Sequence, residues 1–109
     1  MMDLDDYQHK AAGTSIYSDD IKVMYPALGL TGEAGEVANK IKKVYRDKGG
    51  EFKFSDREQI GAEIGDVLWY AANLCSDLGL SLSEEAQRNL DKLNSRMARG
   101  VIGGSGDAR

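Results

Sequence analysis

Apolar residues recur along this chain at helical spacing. Leu30, Ala34, Val37 and Ile41 form one series, Ile60, Ile64, Val67 and Ala71 a second, and Ala86, Leu90, Leu93 and Met97 a third. All three follow the offsets i, i+4, i+7 and i+11, which place side chains on one face of an α-helix; the alternation that marks β-strands is nearly absent. The breaks between the series are chemically clear. Pro26 marks entry to one helix, Gly49 and Gly50 interrupt the next stretch, and Gly79 ends another. The pattern predicts four helices: about Leu4 to Ile16, Ala27 to Arg46, Ser55 or Asp56 to Leu78, and Ser81 or Ser83 to Arg99. Residues 100–109, GVIGGSGDAR, are too rich in glycine for regular helix. The expected fold is all-α, a four-helix bundle in one domain spanning residues 1–109.

Beside each apolar stripe runs a polar one at offsets i+3, i+6, i+10 and i+13. It holds Glu33, Glu36, Lys40 and Lys43 on the second helix, and Glu63, Asp66, Tyr70 and Asn73 on the third. On the fourth it holds Asn89, Lys92, Arg96 and Arg99. At about 100° per residue these positions sit on the boundary of the core. A polar flank is a general property of amphipathic helices. With 18 acidic residues in 109, about three carboxylate pairs at i,i+3 are expected by chance. The informative feature is their arrangement, one pair on the same flank of each of two successive helices. An antiparallel helix pair would bring Glu33, Glu36, Glu63 and Asp66 together, and four such charges repel unless cations lie between them. An all-oxygen donor set suits a hard cation such as Mg²⁺. His9 is the lone histidine and Cys75 the lone cysteine, so softer metals lack ligands, and the Glu-x-x-His pairs of di-iron bundles are missing.

Lys40, Lys43, Lys92, Arg96 and Arg99 could surround a polyphosphate beside such a centre, although for Lys43 and Arg99 a solvated surface role is an equal reading. Tyr70 and Asn73 could offer an aromatic face and an amide to a base or sugar. The net charge of −4 speaks against nucleic-acid binding without excluding a small phosphorylated ligand. No apolar run reaches membrane-spanning length, and the acidic start MMDLDDYQHK is no secretory signal. A cytoplasmic protein is expected. Cys75, within an apolar run, is expected in the core, and His9 at the surface. A chain of 11.9 kDa buries only a modest core, and Trp69 falls nearly opposite the apolar stripe of its helix. Both point toward self-association.

The segments GLTGEAGEVANKIKK, EIGDVLWYAANL and NLDKLNSRMARGVIGGSGD resemble the MazG-like nucleotide pyrophosphohydrolases of the all-α NTP pyrophosphatase superfamily. The likeness is greatest to short single-domain forms, including phage-encoded ones, which would work in the host cytoplasm. The family motif, ExxE followed after a spacer by ExxD, reads here Glu33 to Glu36 and Glu63 to Asp66. The resemblance implies a MazG fold completed by oligomerisation, as a homodimer or a tetramer built from dimers. It further implies Mg²⁺-dependent cleavage of a nucleoside triphosphate between its α and β phosphates, with Mn²⁺ as a substitute cation. Glu33, Glu36, Glu63 and Asp66 would be metal ligands. Lys92 and Arg96 would meet phosphate, with Asn89 nearby, and Tyr70 would lie near the nucleoside. Glu33 is the expected proton acceptor, with Glu36 as the alternative. Deoxynucleotides are expected to be favoured. Two rival readings share these residues: a related enzyme acting on dUTP, phosphoribosyl-ATP or an alarmone, and a non-catalytic helical interaction module. The tail from Gly100 to Arg109 is expected to close over substrate.

Overall fold

The computed structural model describes residues 1–108, and Arg109 lies outside the described residues. Four α-helices appear in order: α1 (Leu4–Gly13), α2 (Met24–Lys48), α3 (Phe54–Asp77) and α4 (Leu82–Ala98), with a single 3₁₀ turn at Asp19–Ile21 before α2. The architecture is all-α, as the periodicity predicts. The two long helices α2 and α3 form an antiparallel hairpin that dominates the packing, α1 lies against α3, and α4 touches α1 and α3 along limited surfaces.

Local chemistry sets the boundaries. The α1 helix starts where the Asp3 carboxylate accepts the Asp6 N–H at 2.8 Å, and it stops three residues before the expected Ile16. There Thr14 donates both its hydroxyl and its N–H to the Ala11 carbonyl, a local bond that competes with helix continuation. The start of α2 lies at Met24, three residues before the expected Ala27. Pro26 is thus its third residue, where the missing N–H costs no intrahelical bond. Val23 precedes it at φ 67, a strained conformation for a β-branched residue. Its N–H donates to Asp77 at 3.0 Å, and the same carboxylate oxygen accepts the Tyr17 hydroxyl at 2.8 Å. Asp77 therefore fixes the chain where it enters the hairpin. At the other end Gly49, at φ 60, closes α2 in the left-handed conformation that glycine adopts freely. The Asp56 carboxylate then satisfies the Lys53 N–H at the start of α3. Ser81 caps α4 by accepting the Glu84 N–H, as the sequence suggests. Gln8 joins α1 to the α3–α4 junction through three hydrogen bonds, to Ser76, the Leu80 carbonyl and the Leu82 N–H.

One expectation is corrected. Leu90, Leu93 and Met97 do not pack inward: Leu90 is 54% and Met97 65% exposed, while Arg96 on the adjoining polar flank is 3% exposed. Ile64 and Ala34 on the hairpin are also exposed. Wheel positions give the direction of an apolar stripe but not what covers it, and here a single copy leaves much of it bare. The radius of gyration of 16.7 Å exceeds the roughly 13 Å of a closed 109-residue domain. Trp69 is half-buried against the end of α1, its indole N–H donating to the Thr14 hydroxyl at 2.8 Å. It thus packs against the loop that follows α1. Cys75 is only half-buried, less enclosed than a core position, and His9 is exposed as expected.

The closed end of the hairpin supplies a test. Asp56 is buried and pairs with Lys48 at 2.6 Å, and that contact, then the Lys53 N–H, holds its carboxyl below the ordinary carboxylate range. A lowered folded-state pKa gives stability that is present above the unfolded value and lost as pH falls through the folded one. Asp56→Asn is therefore expected to melt below the parent at pH 7, with the gap shrinking below about pH 4 and closing once the folded carboxyl is protonated. Thermal melts followed by circular dichroism across that range check it.

Candidate functional site

Midway along the hairpin the facing flanks of α2 and α3 bring acids together. Carboxylate oxygens of Glu33, Glu63 and Asp66 all lie within 4.8 Å of one another. Glu33 and Glu63 are half-buried and Asp66 is exposed. A hydrogen bond with Glu63, followed by desolvation and the negative charges of Glu63, Asp66 and Glu36, raises the Glu33 pKa above its ordinary value. Crowded like charges of this kind disfavour ionisation, and a cation between them would relieve the repulsion. The donor set is all oxygen and partly open to solvent, which fits a hard divalent cation that retains waters or ligand oxygens.

The expected residues divide around this centre. Glu36, one turn beyond Glu33, is exposed and stays outside the converged trio, though close enough for its charge to act on Glu33. The Lys40 ammonium lies 3.8 Å from Glu63. On the other side stands Tyr70, whose phenol pKa is raised by burial, then by a hydrogen bond with Tyr25 and the charges of Glu33 and Asp66. Asn73 is placed differently from the expectation. It is 2% exposed and donates to the Trp69 carbonyl at 3.1 Å, so it bonds back into its own helix rather than presenting an amide to a ligand.

The cations of α4 form a second group. Arg96 donates to the Asp107 carbonyl at 3.0 Å and, with Lys92, to the Asp107 carboxylate, each at 3.2 Å. Those contacts, Arg96 first, lower the Asp107 pKa. The glycine-rich tail therefore folds back on α4, leaving the Arg96 Nε buried without a hydrogen-bond partner. Asn89 is exposed and shares a shallow pocket with Glu85, Arg88 and Lys92.

Sequence reasoning missed Tyr25 and Gly29. Tyr25 lies 6.2 Å from Tyr70 and 4.7 Å from Tyr17, ring centre to ring centre, so three tyrosines form one cluster of which Tyr70 adjoins the acids. Tyr70 in turn rests on Gly29, where an added Cβ would overlap its ring. The first glycine in ALGLTGE was the available signal, since a helix interior tolerates glycine poorly without a reason.

With this geometry in view, comparison with known proteins is decisive. Residues 26–100 match the model of the MazG nucleotide pyrophosphohydrolase domain. The chain belongs to the MazG family. It is 50% identical over 114 residues to the Gene 37 protein of Mycobacterium phage L5, covering 99% of this chain and all of that protein. It is also 36% identical over 67 residues to YpjD of Bacillus subtilis (strain 168), covering 62% of this chain and 60% of that protein. No solved structure matches significantly. Membership supports pyrophosphohydrolase activity in general, and the acidic trio falls on this MazG chain's ExxE and ExxD segments. Among the described residues no helix is long and apolar enough to cross a membrane.

Two outcomes follow. Gly29→Ala is expected to destabilise the fold by about 1–3 kcal/mol through overpacking against Tyr70. Gly32→Ala, with nothing within 4 Å of its added Cβ, gains up to about 1 kcal/mol in helix propensity. Urea unfolding compares them. Separately, Asp66→Asn should raise the melting temperature in chelator, because a repelling charge is gone, and added divalent cation should raise the parent's melting temperature more than the variant's.

Proposed function

We propose that this MazG chain hydrolyses nucleoside triphosphates between the α and β phosphates, giving a monophosphate and pyrophosphate, with deoxynucleotides favoured. The observation that carries the reading is the convergence of Glu33, Glu63 and Asp66 within 4.8 Å on one face of the hairpin. In this proposal those three hold Mg²⁺, with Mn²⁺ as a substitute, and Glu36 swings in from the adjacent turn to complete the set. A bound divalent cation would supply Lewis-acid polarisation and charge neutralisation at the phosphates.

The chain's own groups position and move protons. Tyr70, backed by Tyr25, offers a ring face to the base, and Lys40 meets phosphate beside Glu63. Glu33 accepts the proton of the attacking water, with Glu36 as the alternative acceptor. The water oxygen bonds to the α phosphorus as the bond to the bridging oxygen breaks, and the electron pair departs with pyrophosphate. In-line transfer of this kind depends on positioning and charge stabilisation rather than a protein nucleophile. The family likeness also supports phosphate binding by Lys92 and Arg96, with Asn89 alongside. In this chain a phosphate there would take the place of Asp107.

The exposed Ile64, Leu90 and Met97, with an apolar groove formed by Ile41, Phe52, Ile60 and Ile64, support assembly into a homodimer or a dimer of dimers. A related pyrophosphohydrolase acting on dUTP, phosphoribosyl-ATP or an alarmone would use the same carboxylates, and the tyrosine faces do not select a base edge.

A panel of NTPs and dNTPs with Mg²⁺, resolving pyrophosphate from orthophosphate, tests the reaction. Pyrophosphate is expected, with at least a hundredfold loss of turnover in Glu63→Gln, and orthophosphate as sole inorganic product would overturn the cleavage site. Sedimentation should show an oligomer that Ile64→Glu shifts toward monomer.

A further inference from the structure

Along the α2–α3 hairpin the side chains change character in one direction. Tyr25 and Tyr70 stand toward its open end, then come the three carboxylates, then Lys40 at 3.8 Å from Glu63. Beyond Lys40, toward the closed end, lies a cleft of about 210 Å³ walled by Lys40, Lys43, Lys48 and Gln59 over Val44 and Ile60. At about 1.5 Å per residue, Lys40 and Lys43 lie roughly 10 and 15 Å along the axis from Glu33, within the span of a polyphosphate and a lysine's reach.

The charge of this cleft is cancelled only in part, since the Lys48–Asp56 pair lies within it while Lys40 and Lys43 keep most of their charge. Its two acids are engaged by other groups: Asp47 by Arg46 through two hydrogen bonds, and Asp56 by Lys48 and the Lys53 N–H. Lys43 feels Asp47 at longer range, but among the described residues it forms no ion pair within 4 Å. The pair that Lys40 makes is long. Two lysines one turn apart on a helix repel slightly, and facing a concave wall they favour an anion between them. Lys92 and Arg96 of α4 would reach a phosphate only by displacing Asp107, whereas Lys43, among the described residues, has no such counter-ion to displace.

We infer that the Lys40–Lys43 cleft is the pyrophosphate subsite: the nucleotide lies along the hairpin with its base toward Tyr25 and Tyr70, and the β and γ phosphates point to the closed end and leave through it. The inference rests on the reaction proposed above. The order of groups in the protein, aromatic then carboxylate then cation, is the order of groups in the substrate, base then scissile phosphate then diphosphate. Lys43 is the discriminating residue, because it lines the cleft without touching the carboxylates.

Titration calorimetry with inorganic pyrophosphate in Mg²⁺, with a deoxynucleoside monophosphate as second ligand, tests this on the full chain. Lys42→Glu serves as control: Lys42 is exposed beside the cleft without lining it, and its reversal changes net charge equally. Lys43→Glu is expected to weaken pyrophosphate at least tenfold, Lys43→Gln several-fold and Lys42→Glu under threefold, with monophosphate affinity within twofold throughout. Equal effects of Lys43→Glu and Lys42→Glu, or no pyrophosphate binding by the parent, would overturn the subsite, even if the parent releases pyrophosphate from nucleotides. Lys43-dependent binding by a protein that releases none would uphold the anion site and sink the reaction instead.

Discussion

Repulsion among three carboxylates is the constraint around which this small fold is arranged. Glu33, Glu63 and Asp66 come within 4.8 Å of each other because α2 and α3 run antiparallel with their polar flanks facing. Such proximity works against folding unless a proton or a cation intervenes. The hairpin tolerates it because both its ends are fastened. At one end Asp77 ties down the strained entry at Val23 and the Tyr17 hydroxyl, and at the other Asp56 joins Lys48 to the start of α3. Two acids acting as structural clamps thus hold three others in a geometry they would not choose.

The site is built on helix faces rather than loops, which gives it a fixed register. Tyr70 can approach α2 closely only because position 29 has no side chain, so the aromatic wall and the carboxylates share one helix–helix distance. A change in that distance would displace both together. Precise placement of a first shell on rigid elements is what a positioning mechanism needs.

The hairpin and its acids were legible in the sequence because their spacing follows the helical repeat, and two helices joined by a short break pack antiparallel. The fourth helix was not legible in the same way. Its stripe of Leu90, Leu93 and Met97 has the regular core pattern, yet Arg96 is the residue that is buried. Periodicity reports which residues share a face, while cover depends on tertiary partners that α4 largely lacks within one chain. Asn73 illustrates the same limit: its flank position was correct, but its amide turns back to the Trp69 carbonyl. Tyr25 escaped notice because Tyr70 is distant in sequence and Tyr17 reaches it only through the irregular loop that Asp77 anchors.

The returning tail divides its labour between two residue types. Gly100, Gly104 and Gly106 adopt positive φ and supply the reversal of direction, while Asp107 supplies the attraction that brings the segment home. Substituting one flexible linker sequence for another would therefore alter mainly its reach. Removing the acid would strand a guanidinium beneath its cover with one fewer counter-charge, so the identity of residue 107 matters more to this contact than the length of the glycine-rich stretch before it.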